Sequence, residues 1–589
     1  MIWRRLRRVP RDERAVVAPM VAALTATLLG TAGFALDAGL YYVGNRDLRA
    51  ATEAAALAAA MDPRDGLNRA RNYLARNGRD PSVLQSIQIG RYCPDISLRP
   101  EDRFDPGMTR CPGNGQENAV RLHTSAPSRQ FLSQLLGPLN PIPPLAATAS
   151  AARIDEAGIE ATSGILTVTN SLVNSVNNLL GALLGIQLVL TTADVEALMG
   201  GNVDAGLFFD KLADRIGETG TYGDLAKRRV KLGDIMAAAR DSAGDPRTER
   251  VLGLLAGQVG KNPEIPLSGL FGLGLLEDMP IGGRDGQPAL RAGMNAYQLW
   301  AFAVQGQPGS LNLSKPVDLL IPGSVVRLTG MANGPAARPR FSFGPAGETS
   351  VNTSTLRLQL EIGLGLLRLI GALVDVRVPI LIDIGAGGAD LQKISCADTD
   401  EQARDTEVTL HGYSGLVNAY IGTPPNNAMV SPMPALSEGQ IGQVRLVNVL
   451  GLITVDARAV ASPVLGRSED VSFGPDGPGR VGTPASPGAP VTIGNNAAAG
   501  PLLNSLIDSL SGADGLQVKL LGLCLPLICS ENIAIVRQTL LGGLVAPIAG
   551  LVGNTADPLL DNLLAALGIQ LGHTSLWVTG ARCGVPVLI

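Results

Sequence analysis

Three patterns in the 589-residue sequence predict an α+β protein built behind a single membrane-spanning helix. An uncharged run, Ala15–Leu36, follows an arginine-rich stub, and an alanine-rich run, Asn45–Met61, extends it. Far downstream, Leu356–Ile362 and Val374–Val378 alternate apolar and polar residues with the period of two that marks a half-buried strand. Together they predict a transmembrane helix, a helical stalk, and then a mixed helical and antiparallel β-rich extracytoplasmic region.

The first element is the basic stub, 1–14, with six arginines against Asp12 and Glu13. Residues 15–36 form the second. A helix of that length covers about 33 Å at about 1.5 Å per residue, close to the thickness of bilayer hydrocarbon. Arginines before the run and Asp37 after it place the N-terminus in the cytoplasm by the positive-inside rule. Tyr41 and Tyr42 fall where an interfacial aromatic anchor is expected. A cleaved signal peptide is the alternative, with Gly33-Phe34-Ala35 as its cleavage site; the run is longer than the 7–15 residues usual for a signal core. Either way the remainder lies outside the cytoplasm. Other apolar stretches are too short or too often interrupted by charged or polar residues to span, so one span is expected.

Residues 37–78 are expected to form the helical stalk. Ala50–Ala60 is nearly all strong helix formers, and its small side chains let another backbone approach closely, as at membrane helix interfaces. Asp62-Pro63 breaks the run, and Gly66–Arg76 reads as a second short helix ending at Asn77-Gly78. A small β-rich segment, 79–155, follows, with strands at Val83–Ile89, Ala119–Thr124 and Ala146–Ile154. Residues 156–330 are expected to be mainly helical, with helices at Leu172–Leu188, after Thr192-Ala193-Asp194, and at Asp204–Ile216. The stretch 331–350 reads as a linker, 351–461 as β-rich, and 462–500 as a Pro/Gly-rich loop. The C-terminal region, 501–589, is expected to be Leu-rich and helical with a short closing strand at Leu576–Val578.

Composition narrows the function classes. The chain is 46% hydrophobic and 17% charged, which excludes a largely disordered protein, and its net charge of −4 gives no basic surface for nucleic acid. Aromatics make up only 4%, so the core must be mainly aliphatic. Six cysteines, an even set, suit an oxidising compartment. Fifteen pairings are possible; the favoured set is Cys93–Cys111, Cys396–Cys583 and Cys524–Cys529.

No motif in the chain carries catalytic chemistry. Ile380–Ala389 imitates the glycine-rich turn of a nucleotide fold but lacks the helix and the acidic strand end that a cofactor needs, and a strand–turn–strand hairpin is expected. His411-Gly412-Tyr413-Ser414-Gly415 lacks the second glycine of a hydrolase elbow and is expected to be a surface turn. His123, in a strand, and His573, beside a glycine turn, are expected to be structural. No Cys-x-x-Cys occurs. Catalytic, cofactor-binding and metal-ligating residues are therefore expected to be absent, and the chain is not expected to be an enzyme or to have a small-molecule substrate.

Residues 12–62 resemble the TadG-like proteins of Flp (tight-adherence) pilus assembly. The resemblance rests on Asp37-Ala38-Gly39-Leu40-Tyr41-Tyr42 and on the run from Arg46-Asp47-Leu48-Arg49 through Ala60. Weaker likenesses lie at Asn118–Leu122, Val378–Cys396 and Trp577–Pro586. The resemblance implies a bacterial inner-membrane protein, single-pass, that acts by anchoring and by contact with Flp pilus or secretion-platform proteins from the periplasmic side. Arg14 replaces a usual Gly and Pro19 stands near a usual Glu, so prepilin-peptidase cleavage is not expected. A permanently anchored accessory protein is thus favoured over a filament subunit. A membrane-tethered envelope or adhesion protein of another role is the alternative, and an envelope enzyme the least favoured.

Overall fold

In a computed structural model, the chain is described from Arg14 to Ile589, except for residues 96–97, 100–101, 111–116, 130–142, 163–167, 259–261, 283–289, 306–309, 312–325, 333–338, 354, 370–371, 397–405, 416, 429–435, 451, 462–465, 495–498, 512–514, 521–563 and 568–571. The architecture is α+β, with a long apolar N-terminal helix and largely antiparallel sheets. It divides into two compact units, Met1–Ile154 with Gly584–Ile589, and Asp155–Cys583.

In the first unit, helix α1 (Arg14–Ala60) runs unbroken through the predicted span and the first part of the stalk. Its 47 residues make a rod about 70 Å long. Pro19 lies in its second turn and removes one backbone donor. The helix ends where Pro63 forces Asp62 into an extended conformation. Helix α2 (Gly66–Arg76) has the bounds expected from sequence and buries Gly66, Ala70 and Leu74, one residue per turn. Gly78, at φ +70, ends the segment. The sheet beneath has the order β2 (Phe104–Asp105), β1 (Leu84–Tyr92), β3 (Ala119–Ala126), β4 (Leu145–Thr162), all antiparallel. On β3, Val120, Leu122 and Thr124 turn inward, while outward-facing Arg121 lies 4.4 Å over the Phe104 ring.

The second unit carries the helical region, which runs from helix Asn170–Leu184 to helix Ala296–Gln305. Capping boxes at Thr191/Asp194 and Thr221/Asp224 start helices Thr192–Gly200 and Tyr222–Ala226 by satisfying their free amides. Phe208, Phe209, Tyr222, Phe271 and Phe341 meet there in edge-on, tilted and stacked contacts. Three further sheets follow. The first is built on the antiparallel pair Leu356–Leu369 and Ala372–Ile384; the second contains Gly388–Ser395, Glu407–Tyr413 and Ser468–Phe473; the third contains Val444–Val449, Ile453–Ala457 and Leu516–Leu520. Cys396 and Cys583 form a disulfide, as expected, with Cα atoms 6.0 Å apart. Cys93 is also disulfide-bonded, whereas Cys111, Cys524 and Cys529 lie outside the described residues.

Several expectations need correction. Residues 341–344, placed in a linker, form a fully buried strand antiparallel to β4 and parallel to Phe271–Gly272. The loop expected at 462–500 contains strands Ser468–Phe473 and Val491–Gly494. The helical reading of 501–571 holds for Ala499–Ser511 but gives way to strand Leu516–Leu520. The closing strand is His573–Leu588, far longer than Leu576–Val578, and β4 continues to Thr162. Ile380–Ala389 is strand–turn–strand but not a hairpin, because Ala372–Ile384 and Gly388–Ser395 belong to different sheets. His411 lies within strand Glu407–Tyr413 rather than in a turn.

Candidate functional site

Helix α1 has two chemically different halves. From Val17 to Leu36 its large apolar side chains are open: Val17, Met20, Val21, Leu24, Leu28, Leu29, Phe34 and Leu36 are all exposed. The hydroxyls of Thr25, Thr27 and Thr31 donate back to the carbonyls of Val21, Ala23 and Leu28 at 2.7, 2.8 and 3.1 Å. Every polar group of these threonines is thereby satisfied inside the helix, as a lipid environment demands. Such a surface would be unfavourable in water; in a bilayer it is the solvent-facing one.

From Leu48 onward the helix is docked. Leu48, Thr52, Ala55, Ala56, Ala59 and Ala60 are buried at spacings of three and four, one face of a helix. The alanines pack with Ala70 and Leu74 of α2 and with Leu84, Val120, Leu122, Ala149 and Ala151 of the sheet. Thr52 donates to the Leu48 carbonyl at 2.7 Å, and its oxygen lies 2.6 Å from the Thr124 hydroxyl, a buried polar link between helix and sheet. Arg79 reaches back to Asp47 at 2.5 Å. The backbones that approach the buried face of the alanine run are the protein's own sheet and second helix. Small side chains remain the reason: they let the sheet approach the helix backbone closely.

A second cluster, missed by sequence reading, lies in the second unit. Glu156, Gly158 and Glu160 alternate along β4, so they share one strand face, and both carboxyls are buried. Glu156 pairs with Arg582 at 2.7 Å. Burial pushes its pKa up, with the neighbouring guanidinium pulling the other way. Glu160 accepts from the Asn295 amide at 3.3 Å, and its own pKa is pushed up to about 8 by burial. It is therefore a neutral acid at neutral pH. One carboxyl oxygen of each glutamate and the Thr579 hydroxyl have no protein partner. The crevice beside Glu156, lined also by Arg291, Phe343, Gly580 and Arg582, has a free volume of about 10 Å³, room for about one water. That is too little for an organic substrate. The one signal for this cluster, acids at alternate positions of an otherwise apolar stretch, read instead as the end of a strand.

The three histidines lie on separate strands. His123 stands in β3, 2.8 Å from Thr148; His411 pairs across strands with Asp470 at 2.6 Å; His573 opens the closing strand, its pKa lowered by burial. Gly387 and Gly388 approach Thr574 and the Val351 carbonyl so closely that a Cβ would collide, so the glycine-rich turn serves packing between strands. Asp155, Cys396 and Cys583 bring a carboxylate and two sulfurs within 4.8 Å, but the sulfurs are joined to each other and offer no thiolate.

An exposed apolar helix fused to a docked stalk defines the class: a protein with, among the described residues, one helix long and apolar enough to cross a membrane. Residues 15–62 match the family described as putative Flp pilus-assembly TadE/G-like, so the N-terminal segment is TadE/G-like. Residues 173–304, the helical part of the second unit, match a domain of unknown function, DUF8293. No curated protein and no solved structure matches the chain.

Proposed function

We propose that this chain is an accessory protein of Flp pilus assembly, held in the bacterial inner membrane by α1 with its N-terminus cytoplasmic and both folded units periplasmic. The observation that carries the proposal is the TadE/G-like match over 15–62, which covers the exposed apolar half of α1 and its docked continuation. The arginine stub before the span supplies the orientation, and the disulfides agree with an oxidising compartment. The protein acts by anchoring and by contact with pilus or secretion-platform components, and carries out no reaction of its own. Because the buried face of Ala50–Ala60, at Thr52, Ala55, Ala56, Ala59 and Ala60, is covered by the protein's own sheet and second helix, those contacts fall to other surfaces.

The test is deletion of the gene in its native host, with surface filaments counted by electron microscopy and pilin levels checked alongside. Loss of filaments while pilin is still made supports an assembly role. Unchanged filaments under piliating conditions favour the second reading, a membrane-tethered envelope protein of another role. The large second unit, with its separate match over 173–304, is the observation behind that alternative. Protease added to spheroplasts checks the orientation: both units should be digested, and their protection would reverse it.

A further inference from the structure

The uncharged surface of α1 does not stop where the hydropathy of the sequence stops. Between Ala15 and Asn45 the only ionisable side chain apart from the tyrosines is Asp37, and Asp37 is 2% exposed. Gly33, one turn before it, is buried as well. On the open side of the same turns Phe34 is 79% exposed, Tyr42 69% and Val43 63%. The first exposed charges are Arg46 and Asp47. The open apolar belt therefore runs from Val17 to Val43, about 40 Å along the helix axis, where the hydrocarbon core alone is about 30 Å and the bilayer with its headgroup regions about 40–45 Å.

We propose that α1 contacts lipid as far as Val43, with Tyr42 and Val43 in the outer headgroup region, and that the base of the first unit is seated in that region rather than held above it. The occupant of this helix face is the phospholipid bilayer, because the face is continuous with the span and carries no charge. Resting on the anchored topology proposed above, this moves the boundary two turns beyond Leu36. The carboxyl of Asp37 no longer marks the membrane surface: it is turned into the protein. Arg46 lies nine positions further on, about 13 Å along the helix. Protein that covers Asp37 must therefore reach below the level of Arg46. The unbroken helix transmits this placement to the sheet, since Tyr41 packs with Leu48, Leu145 and Ala126 at the near end of β3 and β4. Tyrosine is suited to such a level, with an apolar ring and a hydroxyl for the wet side.

The experiment places a thiol-reactive, environment-sensitive fluorophore at Leu24→Cys, Val43→Cys and Arg49→Cys in the full chain, reconstituted oxidised into phosphatidylglycerol/phosphatidylethanolamine vesicles. Wild type serves as the labelling blank. Quenching is read with acyl-chain spin-labelled lipid and with aqueous iodide. The expected result is lipid quenching at 24 and 43 and iodide quenching at 49, with iodide quenching at 43 at least threefold weaker than at 49. If 24 is lipid-quenched while 43 and 49 are quenched equally by iodide, the boundary lies at Leu36 and the seated unit is overturned. If 24 is itself open to iodide, the anchored topology has failed instead. Phe34→Cys guards against a local effect of the label at 43: it should match 24, and iodide access there also overturns the seating.

Discussion

Glu160 shows how much a single buried acid can set the behaviour of a folded unit. Its pKa of about 8 in the fold stands against 4.5 for an ordinary glutamate. Between those values the unfolded chain has released a proton that the folded chain keeps, so stability falls as pH rises through this window and levels off above it. Each pH unit crossed inside the window removes about 1.4 kcal/mol, so the group costs roughly 3 kcal/mol near pH 7. The substitution E160Q preserves the shape and keeps an acceptor for the Asn295 amide. It should leave Tm near the wild-type value at pH 5 and raise it by about 2–5 °C at pH 8, measured by calorimetry on the full chain in detergent. Parallel Tm curves for the two proteins across that range would remove the neutral-acid assignment. Glu156 is shifted the same way by burial, but the half-buried Arg582 guanidinium at 2.7 Å opposes the shift, so E156Q should raise Tm at pH 8 by less than E160Q does.

Elements were legible where their pattern was one-sided. Helix α2 could be bounded to the residue because its apolar positions recur every turn and Asn77-Gly78 stops it. Strands Leu356–Leu369 and Ala372–Ile384 announced themselves by alternation. Strands covered on both faces did not: Phe341–Gly344 sits among prolines and glycines that signal a loop, and the end of β4 carries two acids. The alanine run was recognised as a packing surface, but sequence gives no clue that its partner lies in the same chain. That assignment makes a prediction. Ala59→Leu inserts three carbons into a full interface and should cost about 1–3 kcal/mol, read as a lower guanidinium midpoint, while Ala50→Leu on the open face should change stability by under about 0.5 kcal/mol. Equal midpoints would return the run to an external partner. The Cys396–Cys583 bridge closes a sequence separation of 187 residues and ties the closing strand down. In the chain-entropy picture its loss in a C396S/C583S variant costs up to roughly 5 kcal/mol, measurable on the same denaturation curve.

At the scale of the whole molecule, the decisive contrast is between an apolar surface that faces lipid and one that faces another protein. Both would leave Leu24 and Leu28 exposed in the isolated chain. They differ in what a charge does there. A lysine near the middle of a span costs about 2.5–3.5 kcal/mol on insertion, so two lysines oppose insertion by about 5–7 kcal/mol, more than the marginal gain of a span already interrupted by three threonines and a proline. The same pair on an exposed protein-binding helix would leave membrane association unaffected. L24K/L28K should therefore shift the full chain from the carbonate-resistant pellet to the supernatant. The folded units should survive the change, because among the described residues none of their core lies before Leu48 except the buried positions around Asp37; an intact Cys396–Cys583 bridge in non-reduced peptide maps verifies this. Retention in the pellet with that bridge intact would mean that α1 binds protein rather than lipid, and its apolar belt would have to be read as an assembly interface.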